Sequence, residues 1–197
     1  MMRRCCALLV AATLTACSAP AVPDQAYFRM PPAADAVERM PAQPLPIVVE
    51  PLRAQGVYND QAILYAEQPE GAIRAYHYQL WDEAPGTLLQ RRLIAALRAR
   101  HAAELVTDRL AAALPALRIG GSIEQFERVH GDSGWSARVR IELRVERDRQ
   151  SPPLLLQTYS AEVAAANDSV QASVRAFADA VDACHAKFAA DLAALPR

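Results

Sequence analysis

The sequence predicts one α/β (α+β) domain, a largely antiparallel central sheet flanked by two helices, and three observations predict it. The stretch Trp135 to Arg147, WSARVRIELRVER, alternates apolar with polar residues without a break, which is the period of a strand with one buried face. Two further segments, around Leu89, Leu93 and Leu97 and from Val170 to Leu192, carry apolar residues at helical spacing. The chain has 197 residues, enough for a single domain with its own hydrophobic core.

The elements follow in order. Pro46 to Glu50 is a β-branched run of strand length that opens the globular part. Ile63 to Ala66 and Ile73 to Tyr78 flank Glu67-Gln68-Pro69-Glu70-Gly71, whose Pro and Gly suit the turn of a hairpin. After Pro85 and Gly86, Leu89, Leu93 and Leu97 form the buried stripe of an amphipathic helix, with Gln90, Arg91, Arg92, Arg98 and Arg100 on its other faces. Leu117 to Arg128 and Leu154 to Val163 flank the Trp135 strand, so the three read as an antiparallel meander. Asp168, with Gln171 three residues on, is the predicted N-cap of a long terminal helix. Val170, Val174, Phe177, Val181, Cys184, Phe188 and Leu192 are its stripe against the sheet. The sequence holds no internal repeat.

The amino terminus reads differently. Arg3 and Arg4 precede an apolar run that stops at Thr15 and Ala16, just before Cys17. A membrane-spanning helix needs ~20 apolar residues, so this shorter run is a secretory signal peptide over residues 1–16. Its ending, Leu14-Thr15-Ala16-Cys17, resembles the bacterial lipobox, in which the cysteine is acylated, the peptide is cut before it, and the new amino terminus takes another acyl chain. Cys17 is then the lipidation site and first residue of a lipoprotein; an ordinary signal peptide, cut after an A-x-A site, is the other reading. A single acyl chain anchors only marginally at about 0.8 kcal/mol per buried methylene, so several chains make a stable anchor. Ser18 stands where aspartate would signal retention in the inner membrane, which leaves the periplasmic face of a Gram-negative outer membrane as the default address. Residues 17–45 are rich in Pro and Ala and read as an extended tether. Within it, Tyr27-Phe28-Arg29-Met30 is a β-prone island able to add an edge strand. Residues 46–197 form the globular domain.

Composition and motifs narrow the function. The chain carries 21 basic and 22 acidic side chains, and loss of Arg3 and Arg4 with the signal leaves a mildly acidic protein, which argues against a nucleic-acid partner. Cys5 and Cys6 also leave, Cys17 is acylated, and Cys184 has no disulfide partner. The segment Gly131-Asp132-Ser133-Gly134 resembles the nucleophile segment of chymotrypsin-like serine proteases. That chemistry needs an oriented histidine base and two barrels, for which the chain is too short, so the segment reads as a hairpin turn. His77, His101, His130 and His185, placed in a strand, a helix end, a turn and a helix, show no metal-ligand spacing. Cys184 and His185 point about 100 degrees apart on a helix, and Cys184 falls on the apolar stripe, as a buried structural thiol does. Tyr76, Tyr78 and Trp81 make an aromatic cluster before the first helix: a candidate contact for a lipid chain or a partner, although packing is the commoner role of such a group. With no P-loop, Rossmann glycines or paired carboxylates, no catalytic residue, cofactor or metal is expected.

Several landmarks together resemble the ABC-type transport auxiliary lipoprotein family, to which the paraquat-inducible-type lipoproteins belong. They are the lipobox at Cys17, Tyr27-Phe28-Arg29-Met30-Pro31, Ile47-Val48-Val49-Glu50-Pro51 and Gln61-Ala62-Ile63-Leu64-Tyr65. Tyr78 to Pro85 leading into Leu88 to Leu93, Gly121 to Glu127 and the terminal helix complete the series. The resemblance implies a small α/β domain and a non-enzymatic role beside an ABC transporter and a protein with a mammalian-cell-entry (MCE) domain, docking at the outer membrane an assembly that moves lipid between the two membranes. It implies no catalytic residue. A long Pro-rich segment between the first island and Ile47 departs from the family pattern.

Two alternatives of different class stay open at this stage: a periplasmic carrier that binds lipid or another hydrophobic ligand itself, and a lipoprotein activator of an envelope enzyme such as a peptidoglycan synthase. Direct contact with phospholipid and assembly into a homo-oligomer are equally open. The lipid, the direction of its transport and the docking surface have no signature in the sequence.

Overall fold

The computed structural model describes residues 23–33, 38–147 and 152–196. The signal peptide and Cys17 lie outside them. Two helices, α1 (Pro85–Ala99) and α2 (Val170–Ala193), pack side by side on one face of a nine-stranded sheet.

The axis of that sheet is β7 (Leu117–Gly131), fifteen residues long. One edge pairs antiparallel along its whole length with β8 (Gly134–Glu146), which pairs antiparallel with β9 (Leu155–Ala164). This is the expected meander. The other edge of β7 is shared end to end by three short strands, all parallel to it: β2 (Ile47–Val49), β3 (Arg53–Ala54) and β4 (Ala62–Ala66). Beyond β4 come β5 (Arg74–Trp81), antiparallel to it in the expected hairpin, and then β1 (Ala26–Phe28), parallel to β5. The Tyr27 island therefore joins the sheet. On the far side, β6 (Val106–Thr107) runs parallel to β2.

The sheet is thus mixed, not largely antiparallel. The physical reason is the position of α1. A tight turn returns the chain antiparallel, whereas a crossover through a helix returns it parallel. Because α1 lies between the β2–β5 segment and β7, the strands before it meet β7 in parallel.

Packing follows the predicted stripes. Leu89, Leu93 and Leu97 of α1 and Val174, Phe177, Val181, Cys184, Phe188 and Leu192 of α2 are fully buried. They meet the inward side chains of β8, Ala137 through Val145, and an aromatic knot in which Phe126 and Phe177 lie 4.7 Å apart and Trp81 sits 5.2 to 5.4 Å from both. Removing one such ring costs about 3–5 kcal/mol.

Three local expectations need correction. Ser169, not Asp168, caps α2, its hydroxyl accepting from the Ala172 N–H at 3.1 Å, while the Asp168 carbonyl accepts from Arg128. Gln90 and Arg92 are not on exposed faces of α1. Gln90 donates to the Val49 carbonyl, and Arg92 bridges Asp182 of α2 and the Pro31 carbonyl, so each is bonded as it is buried. His130 belongs to the end of β7, and the turn itself is Asp132-Ser133, with Gly134 at φ +100°.

Two backbone positions set the local geometry. A Cβ on Gly121 would meet the Glu142 carbonyl oxygen of β8 at 2.0 Å, so only glycine lets the two strands approach. At the end of α1, His101 takes φ +54°, its N–H bonding the Arg98 carbonyl while Ala102 N–H bonds that of Leu97. This is a Schellman turn with histidine where glycine is usual.

One core residue is out of character. His185 of α2 is buried with neither ring nitrogen bonded among the described residues, and desolvation, reinforced by Arg92 and Arg100, pushes its pKa down to about 3. Since the folded state binds the proton less readily than the unfolded chain, stability is complete above the ordinary pKa of 6.5 and is lost as pH falls from there toward about 3.

Gly121→Ala is expected to cost about 3 kcal/mol of stability, read by urea unfolding, whereas Gly131→Ala, whose Cβ meets open space, leaves the midpoint in place. His101→Gly, by contrast, is expected to stabilise by ~1 kcal/mol, because it relieves a left-handed backbone strained for any residue with a Cβ. His185→Leu removes two unbonded buried nitrogens, so it should stabilise by ~1–3 kcal/mol at neutral pH and weaken the fall in stability between pH 6.5 and 3. Thermal unfolding across that range reads both effects. An unchanged slope would show that other groups govern acid unfolding.

Candidate functional site

Two of the concave regions on the described surface bear on the candidate site.

The first lies at the kinked start of β5. Tyr65 of β4 stacks on Tyr76 with ring centroids 4.4 Å apart, and both line a hollow of about 540 Å³ with Arg74, His77 and Tyr78. Below Tyr76 stands Arg128 of β7, buried. Its guanidinium lies 3.8 Å from the centroid of the Trp135 ring, donates to the Tyr76 hydroxyl at 3.3 Å, and donates to the Asp168 carbonyl at 2.9 Å. Its Nε has no hydrogen-bond partner among the described residues. Burial lowers the Arg128 pKa and raises that of Tyr76, with Arg128 pulling Tyr76 back down. A cation held over an indole face and bonded to a carbonyl ahead of α2 is a fixed strut between sheet and helix.

The three aromatic residues predicted as a contact site are not brought together. Tyr76 and Tyr78 line this hollow, half-buried and exposed respectively, while Trp81 turns into the core against Phe126 and Phe177. Arg128, Tyr65 and Trp135, which make the cluster, carry no recognisable motif. The signal that places Arg128 inward is a bulge: the β7–β8 register shifts between Ile123 and Gln125, so Phe126 and Arg128 continue the inward face that Ile119 and Ile123 begin.

The second region is a groove of about 320 Å³ beside α1. Met30, Pro31, Leu88 and Ala95 supply apolar lining, and among the described residues the charged ones that line it are Arg29, Arg91 and Arg92. Their carboxylate partners, Asp82, Glu83 and Asp182, are not part of the lining. Local structure explains this. Arg29 follows β1 and pairs with Asp82 at the end of β5; Arg91 reaches back along α1 to Glu83; Arg92 is held by Asp182 through both of its oxygens.

On the opposite face of the sheet, Glu127 is buried. It accepts from the Tyr58 hydroxyl and the Phe126 N–H, both at 2.9 Å. Burial raises its pKa, and those two bonds with the nearby Arg138 oppose the rise. The Tyr58 pKa is raised in turn by burial and by Glu127. The pair staples the 3-10 turn Gly56–Asn59 onto β7.

Other predicted positions are bland. Ser133 sits at the tip of the β7–β8 hairpin, with no histidine bonded to it among the described residues. Cys184 is buried and unpaired, its thiol pushed up to about 11 by desolvation, although Lys187 pulls it the other way. A thiol so protonated is a poor nucleophile at neutral pH. Among the described residues no group of three or more His, Cys, Asp or Glu is placed to hold a metal ion, and no helix is long and apolar enough to cross a membrane.

None of the curated proteins matches the sequence. Among solved structures, a crystal structure of a protein from Xanthomonas campestris assigned to family DUF330 superposes with a TM-score of 0.68 at 13% identity, covering 83% of this chain and 92% of that one. A second crystal structure, of a protein described as uncharacterized, gives 0.69 at 13% identity over 86% of this chain and 99% of the other. At such identity these likenesses show a shared fold alone. The sequence itself is more informative: from residue 28 to residue 189 it matches the family described as ABC-type transport auxiliary lipoprotein component, and the chain belongs to that family.

Proposed function

We propose that the protein is the lipid-anchored, non-enzymatic auxiliary component of an ABC-type, MCE-domain system that moves lipid between two membranes, held through Cys17 on the periplasmic face of the outer membrane. The observation that carries this reading is family membership over residues 28–189, joined to a lipobox at Cys17, upstream of the matched region, and a Pro/Ala-rich segment over residues 17–45.

The geometry supports a docking role. Ala26, the first residue of β1, is the ninth residue after Cys17, and extended chain spans at most ~3.3–3.6 Å per residue, so the start of β1 would stay within roughly 30 Å of the anchor. The chain after β1 is bonded firmly to the helices. Arg92 holds the Pro31 carbonyl, Met40 N–H bonds the Arg100 carbonyl, and the buried Gln43 donates its backbone N–H to Ala102 and its side chain to the Leu192 carbonyl. A load on the tether is thus passed into the helices and the sheet, as an adaptor between membrane and partner requires.

Cys17→Ala is expected to abolish incorporation of labelled palmitate and to release the protein from the membrane fraction. Crosslinking of the lipidated wild type in intact cells, followed by mass spectrometry, should recover an MCE-domain protein with its ABC ATPase. Recovery of a peptidoglycan synthase instead would replace the transport reading with that of an activator.

A further inference from the structure

We infer that the groove between α1 and the segment after β1 is a binding site for a single anionic phospholipid, one acyl chain lying along Met30, Leu88 and Ala95 and the headgroup phosphate meeting Arg29 and Arg91. This rests on the lipid-anchored reading for the source of the ligand, the membrane to which the chain is tethered.

Three observations converge. The first is shape and lining: about 320 Å³ of mostly apolar groove, at the small end of the range for small-molecule sites, suits one chain and not two. The second is charge. Among the described residues the charged side chains that line the groove are arginines, with their carboxylate partners outside the lining. Arg92 is consumed, its three nitrogens bonded to Asp182 and the Pro31 carbonyl. Arg29 and Arg91 are different. Each spends one nitrogen on a carboxylate and leaves its side chain well exposed, 78% and 56%, so guanidinium donors are available to a phosphate. The carboxylates Asp82 and Glu83 hold the two arginines in place, which lowers the ordering cost of binding.

The third observation is position. The groove wall from Arg29 to Pro32 follows immediately on β1, and Arg29 is only the twelfth residue after Cys17, a reach of roughly 40 Å at full extension. A groove so close to the anchor meets phospholipid before any other amphiphile. A free anion would use the arginines and leave the apolar wall bare; a neutral chain would do the reverse.

The test uses the full, lipidated protein in phosphatidylcholine vesicles containing a minority of phosphatidylglycerol whose acyl chain bears a diazirine. After irradiation, the label should fall on the peptides carrying Arg29–Pro32 and Leu88–Ala95. Ala95→Trp, at an exposed helix position that tolerates a large side chain, should abolish it. Arg29→Gln with Arg91→Gln should lower it about tenfold, equivalent to ~1.4 kcal/mol. The same diazirine chain on phosphatidylcholine should label weakly and lose nothing further in the arginine double variant. Label scattered over the surface, or unchanged by Ala95→Trp, overturns the site. Label lost in Ala95→Trp but indifferent to headgroup and arginines overturns the anionic specificity. Melting curves of each variant confirm folding. The acyl mass on Cys17 is read from the same digest, so a labelled groove beside an unacylated cysteine retires the anchor and keeps the site, while an acylated cysteine with a bare groove does the opposite.

Discussion

The pairing of β7 on both edges is the constraint on which the rest of the structure depends. One edge is committed along its length to β8, and the other is divided among β2, β3 and β4, so β7 carries the register for most of the sheet. A one-residue slip of a strand turns its whole buried set to the opposite face. Two features hold β7 in place. Gly121 admits the Glu142 carbonyl where a Cβ would collide, and the bulge at Glu124 lets Phe126 and Arg128 continue the inward face after Ile119 and Ile123. The bulged Glu124 points outward and pairs with Arg140, which satisfies the extra residue. The outer face beyond it continues as ion pairs, Arg138 with Glu162 and Arg144 with Glu146, exposed enough that each contributes little to stability.

The helical face is held differently, by a small number of buried polar groups amid apolar packing. Arg92 and Asp182 stitch α1 to α2, and the same guanidinium fixes Pro31. Such a pair is weak evidence of net stability, because removing two charges from water offsets most of their attraction. In the observed rotation of α1 against α2, Arg92 is fully bonded and Gln90 reaches the Val49 carbonyl. His185 is the counterexample in the same interface, a polar ring with no bond to make.

How much of this was legible in the sequence depended on the range of the interaction. The alternation of Trp135 to Val145 and the leucine stripe of α1 are local periodicities, and local sterics convert them directly into elements. The direction of β2, β3 and β4 is not local. It is set by the crossover through α1 some twenty to forty residues later, and strands as short as two or three residues carry too few side chains to reveal their neighbours. The N-cap was misplaced by one residue because Asp168 and Ser169 are both good caps, and the choice is made by Arg128, which claims the Asp168 carbonyl from forty positions away. The aromatic trio Tyr76, Tyr78 and Trp81 is divided between surface and core: Trp81 turns inward while Tyr78 remains exposed, in a strand whose register with β4 is irregular between Ala62 and Leu64.

The distribution of charge divides the molecule by task. On the outer face each arginine named above has a carboxylate beside it, and the surface there is saturated. Around the groove by α1 the carboxylates stand behind the arginines, so the groove wall is cationic although the local charges balance. The asymmetry arises because Asp82 and Glu83 end β5, where the chain turns toward α1, and the arginines reach them from β1 and from the helix. The carboxylates therefore anchor the arginines, and the exposed remainder of Arg29 and Arg91 is what the ligand proposed above would meet. Because β1 is the described strand nearest in sequence to Cys17, the groove lies beside the point where the proposed tether would enter the domain, so under the proposed anchoring a single attachment would both hold the protein at a membrane and present the groove to that membrane's lipids.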